Sequence, residues 1–218
     1  MTGPLEVLYE DNHLLAVMKQ SGVLTMGDDT GDTTMVDLAR DYLRVKYNKP
    51  GNVFVGVVHR LDRPVSGVLL FARTSKAASR LSDQFRRGVV QKVYRAIVDG
   101  VLAKTSGEYV DWLLKDRDTN IVSSVPKATP GAKHSVLKYQ VLARSSGSSL
   151  VSIQPQTGRS HQIRVQFATR GCPIEGDAKY GSTKPGGGSI LLHAEQLSLE
   201  HPTRKEPIVI ECAAAFTL

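Results

Sequence analysis

Only two cysteines, Cys172 and Cys212, occur in the 218 residues of this chain. They are far apart and neither sits in Cys-x-x-Cys spacing, so the sequence offers no zinc cluster, and both read as reduced thiols of a cytoplasmic protein. No apolar run approaches the roughly 20 residues needed to span a bilayer. Residues 1–10 lack a basic start followed by an apolar block, so no signal peptide and no membrane attachment are expected. There is no internal repeat, no low-complexity tail and no obvious linker. The glycine run at 186–188 lacks the Lys-Ser/Thr continuation of a phosphate-binding loop and reads as an ordinary loop. Acidic residues are the short side of the charge balance: 21 Asp and Glu against 28 Lys and Arg give a formal net charge of +7. That surplus favours a polyanionic partner, because Lys and Arg displace condensed counterions from phosphates.

Hydrophobic residues make up 41% of the chain, enough for a folded core and against general disorder. Segments 5–9 and 14–19 read as short strands broken by the turn composition Glu10-Asp11-Asn12, and residues 21–33 as a polar loop. Met35, Leu38, Ala39, Tyr42 and Leu43 recur at helical spacing, predicting a helix over 34–47 that Asn48, Pro50 and Gly51 stop. A second helix is expected over 75–87, with Ser75 as N-cap and Gly88 as C-terminal cap. Further strands are expected at 92–98, 108–114, 120–124, 135–144, 150–154, 190–199 and 208–211, and a third helix at 160–170. Strands cluster while helices are few and dispersed. The fold class is therefore α+β, a largely antiparallel mixed sheet flanked by a few helices, in one domain spanning 1–218.

The most informative stretch is His59-Arg60-Leu61-Asp62-Arg63-Pro64-Val65-Ser66-Gly67-Val68, lying between the hydrophobic runs 53–58 and 68–71. Charged residues between two strand-like segments are costly to place in a core and are better explained as a site at a strand end. An isolated Asp there reads as a turn former. The flanking residues change that reading, because the segment resembles the HRLD-x-x-x-SG motif of the RluA-type pseudouridine synthases. In that family the Asp is catalytic, which the resemblance carries onto Asp62.

Other segments resemble the same family in the same order. Residues 157–165, Thr-Gly-Arg-Ser-His-Gln-Ile-Arg-Val, resemble TGRxHQ(I/L)R, whose last Arg pairs with the catalytic Asp; here that residue is Arg164. On the helix expected at 160–170, Arg164 shares a face with Ser160 and His161. Lys92-Val93-Tyr94 resembles K-x-Y, whose aromatic ring stacks on the target base; the alternative for Tyr94 is a strand tyrosine packed in the core. Residues 175–181 resemble the family's GD-x-x-YG turn and 191–194 its LLHA strand, both read as supporting the pocket. Leu191 and Leu192 alternate faces, one toward the uracil pocket and one toward the core; Leu192 is assigned to the site.

By the same resemblance Arg60 enters the RNA where the flipped nucleotide leaves. His59, His161, Arg159, Arg86, Arg87 and Lys92 complete the expected RNA-contacting set. A solvated helix face is the alternative for the basic run from Arg73 to Arg95, and residues 115–133, with Arg117 and Lys127, form a second candidate contact. The two histidines have no third partner at metal spacing, so no metal is expected. No cofactor is expected either, since the base is re-attached without oxidation.

The resemblance spans about residues 5–216. It implies a uridine-to-pseudouridine isomerase acting on a tRNA or rRNA stem-loop, monomeric and cytoplasmic, without the accessory RNA-binding domain that many members carry. Two departures stand out: Gln20 where the family has Pro in K-P-x-G, and the segment 133–139, which matches the family strand poorly. The rival from another class is a non-catalytic RNA-binding or RNA-folding factor with the same fold, against which the Asp62-Tyr94-Arg164 set argues. A carboxylate-dependent nucleosidase would want a second acting carboxylate, and none stands near Asp62 in the sequence.

Overall fold

A computed structural model describes residues 5–27, 30–186 and 189–218. Two glycines of the 186–188 loop, Gly187 and Gly188, and part of the polar loop at 21–33 lie outside the described residues. The chain divides into two compact units, residues 1–91 with 194–213, and residues 92–193 with 214–218.

The first unit begins with β1 (Val7–Glu10) and β2 (Leu14–Lys19), followed by helix α1 (Met35–Lys46). Thr34 caps α1 through a reciprocal box: its side chain accepts from the Asp37 N–H, and the Asp37 carboxylate accepts from the Thr34 N–H. Next come β3 (Gly56–Val57), β4 (Ser66–Ala72) and helix α2 (Ser75–Arg87). β2 pairs antiparallel with β1 on one side and with β4 on the other, while β3 pairs with β4. The apolar stripe Ala77–Leu81 of α2 packs on Leu14, Ala16, Val68, Leu70 and Ala72, the residues of β2 and β4 that share one face. The opposite face, Leu15, Val17, Leu69 and Phe71, is also fully buried. Both strands therefore read as continuous apolar runs.

The second unit holds β5 (Gln91–Asp99), β6 (Ser106–Lys115), β7 (Val122–Val125), β8 (Lys133–Arg144) and β9 (Ser148–Pro155), then helix α3 (Gln162–Ala168). Its strand order is β5-β9-β8-β6-β7, each pairing antiparallel. Tyr109, Tyr139 and Phe167 form an aromatic knot with centroids 4.8–5.8 Å apart. Leu113, Val122 and Val165 bury a second cluster against Tyr180. β10 (Leu192–Glu200) starts in this unit and continues in the first, where it pairs with β11 (Pro207–Glu211).

The α+β class and the order of elements agree with the sequence reading, with three local corrections. The N-cap of α2 is Thr74, whose hydroxyl accepts from the Ala77 N–H, not Ser75; Gly88 caps the other end in the left-handed conformation, φ 71°. The hydrophobic run 53–58 forms a ladder only at Gly56–Val57; Val53 and Val55 are apolar because they are buried, not because they pair. Helix α3 starts at Gln162, so Ser160 and His161 precede it and share no helical face with Arg164. His161 has φ 50°, which breaks the helix before it begins.

Candidate active site

Asp62 stands on the turn between β3 and β4, half-buried, its carbonyl accepting from the Val65 N–H. The turn is tied down from the β2–α1 connection. Lys19, fully buried at the end of β2, donates from Nζ to the carbonyls of Gln20 (3.0 Å), Arg63 (3.0 Å) and Val65 (2.7 Å). Ser21 Oγ donates to Pro64 O, and Gly22 and Arg63 exchange hydrogen bonds. Thr25 Oγ1 donates to Leu61 O and accepts from Leu61 N. Arg63 also pairs with Asp32 at 2.7 Å. Burial pushes the Lys19 ammonium down to about 7; the Asp62 charge works against this shift, and the Arg63 charge adds to it.

Immediately after the turn, Gly67 has φ 116°, and a Cβ there would lie 2.2 Å from the Ala194 carbonyl oxygen. Only glycine permits this approach of β4 to the β10 backbone. Arg60, next to Asp62's neighbour Leu61, is exposed. His59 is built into the unit: Nε2 accepts from the Leu70 N–H at 2.9 Å and the ring stacks on Phe85 at 4.9 Å. Of the expected basic wall, several members are used within the fold. Arg86 and Arg87 both pair with Asp83, Arg73 pairs with Glu10, and Arg80 donates to Pro202 O.

In the second unit, Arg164 projects from α3 with only 5% of its surface exposed. Its guanidinium makes a two-pronged contact with Asp177, Nε to Oδ2 at 2.6 Å and Nη2 to Oδ1 at 2.8 Å. Asp177 is itself 1% exposed. The Tyr180 ring lies 4.9 Å from the guanidinium carbon, and its hydroxyl accepts from the Val122 N–H and contacts His161 Nδ1 at 2.6 Å. The 157–161 turn is sewn by Gln162: its Oε1 accepts from Thr157 Oγ1 and Arg159 N, and its Nε2 donates to Val136 O. These bonds fix where the helix starts and so where Arg164 emerges. Arg159 is exposed, with Nε donating to His134 O.

Tyr94 is half-buried on β5 opposite Ile153 of β9. Lys92 stands two residues earlier, its Nζ beside Gly158, and burial lowers its pKa below the usual lysine value. Leu192 is buried at the start of β10. The roles of three residues were missed from sequence. Lys19 closes an apolar strand, where a lysine reads as an exposed end, yet it holds the Asp62 turn. Asp177 and Tyr180 read as support for the pocket, and the structure shows that they hold Arg164. The GD-x-x-YG match was the available signal for the latter.

Residues 13–169 match the family of RNA pseudouridylate synthases. The chain is 35% identical over 216 residues to the dual-specificity RNA pseudouridine synthase RluA of Yersinia pestis, the match covering 96% of this chain and 99% of that one. It is 38% identical over 229 residues to tRNA pseudouridine synthase C of Haemophilus ducreyi, covering 94% and 89%. Among solved structures, human RNA pseudouridylate synthase domain containing 4 superposes with a TM-score of 0.81 at 25% identity, over 96% of this chain and 88% of that one.

Proposed function

The chain belongs to the RNA pseudouridine synthase family, and from that premise we propose that Asp62 is the residue on which its isomerisation of uridine in RNA depends. In that reaction the bond from ribose C1′ to uracil N1 breaks, the base turns, C1′ joins uracil C5, the C5 proton passes to solvent, and N1 takes up a proton in its place. Asp62 acts as the carboxylate at the sugar while the base is detached. The observation that carries the assignment is the bracing of its turn: one ammonium, two hydroxyls and a glycine N–H all bond to the backbone of residues 61–65. Such bracing holds a reacting group in place against the loss of orientation that a mobile loop would bring.

Arg164 is the cation that the family resemblance assigns to the catalytic Asp, and Asp177 and Tyr180 fix its direction. Tyr94 stacks on the detached uracil and Leu192 lines its pocket. Arg60 occupies the space from which the uridine is extruded. Arg159, His161 and Lys92 contact the RNA near the 157–161 turn, and Arg86, Arg87 and His59 contact it from the first unit. The substrate is a tRNA or rRNA stem-loop, and the enzyme works as a cytoplasmic monomer. No helix among the described residues is long and apolar enough to cross a membrane.

Pseudouridine mapping of total RNA from cells with and without the gene tests this reading. One or a few uridines in tRNA or rRNA should lose their modification, and a plasmid copy carrying Asp62→Asn should fail to restore it. Restoration by that copy would overturn the role given to Asp62.

A further inference from the structure

A cavity of about 390 Å³ opens in the second unit between β6, β7, β8 and the 157–160 turn, and neither Arg164 nor Asp177 lines it. Its position follows from strand register. Lys133 stands directly opposite Leu113, and Val122 directly opposite Lys115. Cross-strand partners share a face, and so do Leu113 and Lys115, two residues apart on one strand. Two lysines therefore flank two apolar side chains on a single face. Leu113 and Val122 are buried and make an apolar floor; Lys115, Arg117, Lys133 and Arg159 are exposed at the rim.

The four rim cations differ from several other basic residues. Arg40, Arg44, Arg86, Arg87, Arg170 and Lys184 each have a carboxylate partner. Among the described residues, Lys115, Arg117, Lys133 and Arg159 make no ion pair with an Asp or Glu. Arg159 is nevertheless aimed, since its Nε is held by the His134 carbonyl at 3.0 Å. Four cations around one opening repel one another, a cost that an incoming polyanion relieves with release of its counterions. The cavity is larger than a lone phosphate requires, and its apolar floor suits a ribose or base face. Arg159 is five residues from Arg164, a span of at most ~18 Å of chain. Whatever the cavity holds therefore lies within a few nucleotides of the uridine handled beside Arg164.

We propose that this cavity holds a nucleotide of the substrate RNA flanking the modified uridine. Its sugar or base rests on Leu113 and Val122, and its phosphates lie against Lys115, Arg117, Lys133 and Arg159. The proposal rests on the reading of the chain as an RNA isomerase and adds a second anchor to it. Lys115 and Lys133 belong to no motif quoted above, and Lys133 opens the segment that departs from the family. The cavity thus gives this chain its own means of choosing among RNAs.

The test compares the full chain with Lys115→Gln/Lys133→Gln and with Lys115→Arg/Lys133→Arg. Binding of a pool of unmodified tRNA transcripts is measured across a range of salt, with thermal unfolding recorded for each variant. Inorganic phosphate and pyrophosphate serve as small-anion probes. The Gln pair should unfold at the wild-type temperature and bind tRNA at least tenfold more weakly at 0.1 M salt. The slope of log affinity against log salt should be shallower by about 1.4, two phosphates at ~0.7 each for single-stranded contacts. The Arg pair should bind as the wild type does. Unchanged affinity and slope in the Gln pair would overturn the proposal. So would equal weakening in the Arg pair, which would mean packing and not charge. Loss of phosphate binding with tRNA binding intact would make the cavity a small-anion site and overturn it as well. Because these readouts need no turnover, failure of wild-type protein to form pseudouridine would fall on the isomerase reading alone.

Discussion

Arg164 and Asp177 meet through two parallel contacts of 2.6 and 2.8 Å, with both side chains almost wholly withdrawn from solvent. A helix thus delivers the cation, and a turn 13 residues later fixes the plane of its guanidinium. The Tyr180 ring adds a face-on contact from the same turn. Arginine suits this position because its rigid fork can serve one carboxylate and still present donors in another direction.

Removing Asp177 takes from a buried guanidinium the carboxylate that accepts from both its Nε and its Nη2. Asp177→Ala should lower stability by about 3–5 kcal/mol, the usual cost of breaking a buried pair from one side. Asp177→Asn keeps the shape and one acceptor. It should fold with a smaller loss yet form pseudouridine at least tenfold more slowly, because Arg164 is no longer held in one orientation. Urea unfolding and single-turnover rates, measured side by side, separate the two effects.

Lys19 makes a prediction about pH. Its folded pKa, lowered to about 7 by burial, lies below the ordinary lysine value of 10.5. Between those values the unfolded chain holds a proton that the folded chain has released, so stability should rise with pH across that window. The slope from this one group is at most about 1.4 kcal/mol per pH unit, and below pH 7 its contribution is flat. Lys19→Met should remove the rise. Asp62→Asn, which deletes the charge opposing the shift, should start the rise at lower pH. Denaturant melts from pH 6 to pH 10 would show both.

Asp11 gives a slope of the same sign at the acid end of the scale, but here the charged form is the one the fold favours. Burial would raise its pKa, but the N–H groups of His13 and Leu14, the His201 ring and the Tyr9 hydroxyl together bring it down to about 2 from 3.8. Its stabilisation is complete above pH 4 and is lost as the pH falls toward 2. That amounts to roughly 2.5 kcal/mol at about 1.36 kcal/mol per unit. Asp11→Asn should unfold more easily at pH 6 than the wild type and should lose less stability between pH 4 and pH 2, as acid titration followed by circular dichroism would record.

Much of this could be read from the residues. Apolar runs at β2 and β4, the helical stripes of α1 and α2, and polar residues crowded at 59–67 and 157–164 are local patterns, and local patterns determine local structure. What escaped is non-local. Lys19 reaches three carbonyls, two of them more than forty residues away, and the K-P-x-G resemblance around it names the residue but not those partners. The pairing of Arg164 with Asp177 joins a helix to a turn. The start of α3 depended on Gln162, whose side chain bonds back into the preceding turn and competes with helix there. The length of β3 was overstated because burial and strand pairing select the same residue types.

Gly67 offers a sharp test of the close approach after the Asp62 turn. Gly67→Ala places a methyl group 2.2 Å from a backbone oxygen at a φ of 116°, and neither can give way cheaply. The substitution should cost at least ~2 kcal/mol. It should also reduce turnover more than Val65→Ala, which alters the same turn without a backbone clash. Thermal unfolding and initial rates on the two variants supply the comparison.

The most direct test of the account is tritium release from RNA labelled at carbon 5 of uridine, measured for wild type, Asp62→Asn and Asp62→Glu at RNA concentrations where filter binding shows all three saturated. Release by the wild type at one equivalent per pseudouridine formed, with a fall of at least a thousandfold in Asp62→Asn despite matched binding, is the expected result. Release by Asp62→Asn at the wild-type rate would contradict it.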